Sequence, residues 1–371
     1  MRILSYVAFS TSTDCSIAAY LSVDLIADLI LGVSTDMIVR PDNRIYNAAR
    51  KANFKRMGLA IQWPAVFMSL NRAIRSLNVG DMVFSTTGKL QREWHALLGS
   101  WVDARVREMR SAKPEMDQPD MISAIVRSLD DESGRGLSDG ELVAELTTLL
   151  IAGSGTITTG MTSTLFYLAH NQEAYAAVVQ EVRKTFGSLD DIQVGLQLKS
   201  CKALQAVFQE AMRMSPPPTT PLYREAGQGG ATVCGRRIPA GCEVATTIYA
   251  LHHNEAHFPE SFTFAYKRWL PSGNDNSNNL AKSRAAWAPF SYGPRNCVGM
   301  ALATNEVLIA VARLLWQGDF QLAEDPDIAA IGNGSPELGA GRHRPNEFQM
   351  YDTFGASTEG PYLQFRRRKM P

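Results

Sequence analysis

A mainly α-helical fold with small β-sheets is predicted by this sequence, on three observations. Apolar residues recur at three- and four-residue intervals through most of residues 1–230. From Ala231 the helical period gives way to short β-branched runs bounded by Gly and Pro. Met300 to Trp316 then returns to a strongly apolar helical pattern. A length of 371 residues allows two domains or one large one. The pattern favours a single domain over 1–371, with 1–230 mostly helical and 231–371 mixed strands, a glycine-bounded loop and a final helix.

Taken in order, Tyr20 to Gly32 alternates apolar and acidic residues at helical spacing, and Gly32 is the expected stop. Trp94 to Met109 repeats the pattern with Arg and Glu between the apolar positions. Ser111 to Pro119 reads as a loop, Met121 to Leu129 as a short helix, and Asp130 to Gly136 as a turn-rich break. Ser138 opens a long helix with a capping box, Glu141 standing three residues on. Its apolar pattern continues toward Asn171. The middle, Gly153-Ser154-Gly155-Thr156, is poor helix material: two glycines cost about 2 kcal/mol relative to alanine. That predicts either a kink or close helix crossing, or an opening in the hydrogen-bond ladder beside a ligand.

Lys202 to Met214 is a further helix, ended by Pro216-Pro217-Pro218. Thr232-Val233-Cys234 and Glu243 to Thr247 read as strands, joined through Gly235 and Pro239-Ala240-Gly241. Ser272 to Asn279 is a polar surface loop. Ala285 to Gly299 follows neither period. The last fifty residues read as short strands and loops with a basic end, Arg366-Arg367-Arg368-Lys369.

Composition excludes several classes. Hydrophobic residues are 45% and charged residues 20%, which rules out global disorder. Lys plus Arg (37) balances Asp plus Glu (37), so the basic excess of a nucleic-acid-binding protein is missing. The five cysteines form no C-x-x-C pair, which argues against a structural zinc site and a disulfide framework. The apolar stretch Ile17 to Val33 is broken by Asp24 and Asp28, each costly in a bilayer, so no membrane anchor is expected in the chain.

One segment carries chemistry: Phe290-Ser291-Tyr292-Gly293-Pro294-Arg295-Asn296-Cys297-Val298-Gly299. Cys297 lies just ahead of a helix, whose N-terminal amides and partial positive charge favour a thiolate. Gly293 and Gly299 remove side chains on both sides of the sulfur, so a large flat ligand can approach the backbone. Arg295 adds a fixed positive charge two residues away. These features suit a thiolate ligand to a metal held in an anionic macrocycle.

The segment resembles the haem-binding loop of the cytochrome P-450 superfamily, F-x-x-G-x-R-x-C-x-G. Phe290, Gly293, Arg295, Cys297 and Gly299 fill every fixed position. A chance match in a chain of this length is on the order of one in ten thousand. Glu210-Ala211-Met212-Arg213 matches the family's E-x-x-R helix, whose residues share a face at i, i+3. The resemblance implies a network with an arginine in a P-x-R-W segment. Here that segment is Tyr266-Lys267-Arg268-Trp269, with tyrosine in place of proline. Ala152-Gly153-Ser154-Gly155-Thr156-Ile157 is similar to the family's A-G-x-D/E-T-T, with Gly155 replacing the acid and Ile157 the second threonine. In the family that acid and threonine supply protons during dioxygen activation, so Thr156 is the residue implied for proton delivery and the relay lacks its acid.

The resemblance implies haem b ligated at iron by Cys297, with Arg295 and Arg224 near the propionates, and Phe290, Gly293 and Gly299 shaping the loop. It implies O2, a small and largely apolar substrate, and electrons from NADPH through a cytochrome reductase. The stretch Leu251-His252-His253-Asn254 is similar to fungal members, and its histidines are given no chemistry. Family members usually sit on the endoplasmic reticulum membrane; for this chain, without an anchor, the cytoplasm is the alternative. The family's N-terminal part, including a W-x-x-x-R helix over a propionate, is expected to be missing. Trp101-Val102-Asp103-Ala104-Arg105 spells that pattern too late in the chain and reads as coincidence on a middle helix.

Three functions follow: a haem-thiolate monooxygenase, which the resemblance implies to be of fungal secondary metabolism; a truncated haem protein with altered or no oxygenase activity, motivated by Gly155; and a non-enzymatic remnant that binds no haem stably.

Overall fold

The structure is a computed structural model that describes residues 16–44, 58, 60–76, 85–111, 121–128, 134–271 and 277–368. Its contacts divide the chain into two compact units, Met1–Thr158 and Thr159–Pro371.

The described part of the first unit is helical: α1 (Ser16–Leu31), α2 (Pro64–Ser76), α3 (Ser85–Ser111), α4 (Met121–Arg127) and the first part of α5 (Asp139–His170). Helix α1 ends as its sequence predicts. Gly32 takes φ +65, and its N–H bonds to the Asp28 carbonyl at 2.9 Å. Asp24 interrupts an apolar stretch without cost because its carboxylate is fully used. Thr35 Oγ1 donates to it, and so do the amides of Met37 (2.9 Å) and Ile38 (3.3 Å). The predicted Ser111–Pro119 loop lies, beyond Ser111, outside the described residues, as does most of the Asp130–Gly136 break.

The capping box forms at the start of α5. The Ser138 amide reaches Glu141 Oε2 at 2.8 Å, and the Glu141 amide reaches Ser138 Oγ at 3.4 Å. The helix is unbroken to His170. The opening in its hydrogen-bond ladder is therefore corrected: Gly153 serves a close crossing instead. A Cβ at Gly153 would stand 3.0 Å from Ile26 Cδ1 of α1. Helix α5 is also, by length and composition, long and apolar enough to cross a membrane, which the sequence reading did not single out. Many of its hydroxyls turn back to carbonyls one turn earlier, as Thr158 does to Ser154 (2.8 Å) and Thr164 to Gly160 (2.7 Å).

The second unit begins within α5 and continues with α6 (Gln172–Thr185), α7 (Leu196–Ser200), α8 (Lys202–Met214), α9 (Ile248–His252), α10 (Ser277–Ala286), α11 (Met300–Gln317) and α12 (Pro326–Ala329). Helix α6 is separate because Asn171 caps it, its side chain accepting from the Ala174 amide at 2.9 Å. A buried aromatic core joins Phe166, Tyr167, Met214 and Phe348. Tyr167 Oη pairs with Ser215 Oγ at 2.9 Å, so the buried phenol is satisfied.

Among the described residues, four two-stranded antiparallel ladders complete the unit. Strand β1 (Arg224–Glu225) pairs with β4 (Glu243–Val244), and β2 (Ala231–Val233) with β3 (Arg236–Ile238). Strand β5 (Gly318–Leu322) pairs with β8 (Leu363–Arg367), and β6 (Met350–Tyr351) with β7 (Ser357–Thr358). Two expectations are corrected here. The strand read over Glu243 to Thr247 spans Glu243–Val244. The strand at Thr232 pairs with Arg236–Ile238, because Cys234 and Gly235 both take positive φ (48 and 76) and close a two-residue hairpin. Ser277 to Asn279, read as loop, open helix α10.

Candidate active site

Glu210 and Arg213 face one another on α8 and are fully buried. Burial of this pair needs every polar atom matched, and it is. The Arg213 Nε and Nη2 atoms reach the two Glu210 oxygens at 2.9 and 2.8 Å. The remaining guanidinium donors reach the carbonyls of His252 (2.8 Å), Ser261 (2.6 Å) and Thr263 (3.1 Å). Glu210 also accepts from Arg268 Nε (3.1 Å), Trp269 Nε1 (2.8 Å) and the Ala265 amide (2.9 Å). The network implied from the E-x-x-R motif and Arg268 is therefore present, with Tyr266 buried where the family has proline.

The Cys297 loop leaves α10 at Trp287 and enters α11 at Met300. It is anchored to α8 and α9, since Trp287 Nε1 donates to the Gln209 carbonyl at 2.9 Å and the Ala288 amide donates to His252 Nε2 at 2.9 Å. It is closed on itself by the Cys297 amide, which reaches the Phe290 carbonyl at 2.8 Å. Phe290 contributes this carbonyl and an edge-to-face contact with Trp287, ring centroids 6.0 Å apart. Gly293 takes φ +77, a conformation that favours glycine, with open space where a Cβ would stand. Gly299 has ordinary backbone angles, and a Cβ there would lie 3.8 Å from Cys297 Sγ. Its lack of a side chain leaves that space beside the sulfur free.

Cys297 is exposed, and its sulfur has no hydrogen-bond partner among the described residues. Arg295 is also exposed and has no described hydrogen bond or ion pair. The Arg224 side chain, on β1, donates to the Tyr223 carbonyl at 2.8 Å. An exposed thiol flanked by glycines, with the exposed guanidinium groups of Arg295 and Arg224 in the same unit, fits an anionic macrocycle bound through sulfur. Thr156 lies in the first unit, with its hydroxyl donating to the Ala152 carbonyl at 2.7 Å. The structure thus gathers five of the named residues on one loop and puts Arg224 in the same unit and Thr156 in the other.

Trp101 and Arg105 lie on α3, where Arg105 pairs with Glu108 at 2.8 Å. Sequence reasoning gave His252 no role, and the structure makes it a bridge. Its neighbour His253 is stacked on Tyr249, ring centroids 4.0 Å apart. The stretch Leu251-His252-His253-Asn254 does not reveal this role, because the partners of His252, Arg213 and Ala288, are remote in sequence.

The cytochrome P450 family profile matches residues 11–345. A cytochrome P450 monooxygenase of Gibberella zeae is 33% identical over 350 residues, 94% of this chain and 76% of that protein. Cytochrome P450 monooxygenase AKT7 of Alternaria alternata is 34% identical over 352 residues, 94% of this chain and 65% of that protein. The crystal structure of the cytochrome P450DA haem domain superposes with a TM-score of 0.71 at 18% identity, covering 99% of this chain and 71% of that one.

Proposed function

The chain belongs to the cytochrome P450 family of haem-dependent oxidoreductases, and on that premise we propose that it is a haem-thiolate monooxygenase. It inserts one atom of O2 into a small, largely apolar substrate in fungal secondary metabolism. The observation that carries this reading is the exposed Cys297 sulfur, without a hydrogen-bond partner among the described residues, in its glycine-bounded loop.

Cys297 would hold the iron of haem b. When bound, the haem supplies the redox chemistry, with the thiolate pushing electron density toward oxygen. The chain's own residues position and protonate. Arg295 and Arg224 offer planar donor forks to the propionate carboxylates. Gly293 and Gly299 keep the backbone beside the sulfur clear. The turn closed by the Cys297 amide on the Phe290 carbonyl fixes the backbone that carries the sulfur. Thr156 donates its own proton to the Ala152 carbonyl, which leaves its lone pairs as acceptors; in proton delivery it would accept from a proton-carrying water rather than initiate transfer. Electrons come from NADPH through a cytochrome reductase.

A second reading, a haem protein with altered or no oxygenase activity, is favoured by Gly155 standing where the acid would be. The deciding experiment reconstitutes the chain with haemin and records the reduced, carbon-monoxide-bound spectrum. Wild type is expected to give a thiolate-type Soret band and Cys297→Ala none. The same thiolate band from the variant would reject the assignment. A thiolate band without substrate turnover would support the second reading.

A further inference from the structure

We propose that His252 is a positioning residue for the Cys297 loop: held in one tautomer, its ring ties the last turn of α8 to Ala288, near the start of the loop. Nε2 lies 2.9 Å from the Ala288 amide, which can only donate, so Nε2 carries no proton. The ring proton is then on Nδ1 and is donated to the Arg213 carbonyl at 3.1 Å. That carbonyl belongs to the last turn of α8, where carbonyls lack helical partners. The guanidinium of Arg213 donates back to the His252 carbonyl at 2.8 Å. His252 is thus locked to the buried Glu210–Arg213 pair through both backbone and side chain.

Two short steps connect this tie to the sulfur. The Ala288 carbonyl accepts from the Ser291 amide at 2.9 Å, and the Phe290 carbonyl accepts from the Cys297 amide at 2.8 Å. His252 is fully buried and Ala288 is buried, so water does not replace either bond. A second ring proton would oppose the Ala288 N–H. Burial above all, with the nearby Arg213 charge, pushes the ring down to about 3, so it stays neutral at working pH. The tie itself is a property of the chain; its consequence for haem rests on the proposed function.

Two substitutions separate the bonds. His252→Asn retains a donor at the Nδ1 position and loses the acceptor for Ala288. His252→Gln retains an acceptor at the Nε2 position and loses the donor. Amide hydrogen exchange is followed by mass spectrometry on the full chain, with and without haemin. In the Asn variant, residues 288–297 are expected to exchange at least ten-fold faster while residues 202–214 stay as protected as in wild type. In the Gln variant the loop is expected to exchange within about two-fold of wild type. Haemin release to apomyoglobin is expected to be at least ten-fold faster for Asn than for Gln. Wild-type loop protection in the Asn variant, or equal loss across loop and helix in both variants, would overturn the proposal. If neither variant folds, the wild type decides. Its Ala288 amide must exchange as slowly as buried helical amides, and exchange at the rate of exposed loop amides overturns the tie. Because exchange is read without haemin too, absence of a thiolate band would reject the haem reading while this one is still judged by its own data.

Discussion

At the scale of single residues, the unusual group is Glu306 on α11. It is buried, and neither carboxyl oxygen has a hydrogen-bond partner among the described residues. Burial alone raises its pKa from 4.5 to about 7. The folded state therefore holds a proton that the unfolded chain releases between those values, and stability falls as pH rises through that window. The full penalty at pH 8 is on the order of 3 kcal/mol. Glu306→Gln should remove most of it, raising the melting temperature at pH 8 and leaving it nearly unchanged at pH 4.5; equal shifts at both pH values would count against this account. Cys297 was legible at this scale because its motif lies within ten residues. Glu306 was not, since nothing local says that position 306 faces inward without a partner.

At the scale of elements, α8 is the organising piece. Arg213→Met removes one partner of a fully buried pair and leaves the Glu210 charge uncompensated, a loss of about 3–5 kcal/mol. Urea unfolding should show it as a lower midpoint with an unchanged slope. A loss below about 1 kcal/mol would mean that Arg268 and Trp269 satisfy Glu210 unaided. The helices were legible where caps and periodicity coincide, as at Ser138–Glu141 and Gly32. Helix α6 was missed because Asn171, read as the end of one helix, caps the next. Strand β3 was missed because Arg236-Arg237-Ile238 is charged and largely exposed, so no alternation marks it.

For the whole molecule, the formal charge is zero and the isoelectric point is about 7.0. Solubility should be lowest near pH 7 and rise on either side, measured as saturating concentration at low salt. A minimum more than about one pH unit away would mean that buried groups such as Glu306 dominate the titration.

The amino-acid sequence by itself determined the family, the thiolate candidate and the helical periods, because each is encoded within a few neighbouring residues. Only the tertiary structure decided which side chains meet. Glu210 finds Trp269 across 59 positions, and His252 finds Ala288 across 36. Gly153 has its place because Ile26 crosses there. The physical reason is that caps, turns and periodicity are local interactions. A buried polar group, by contrast, takes its partner from whatever backbone the fold brings alongside it.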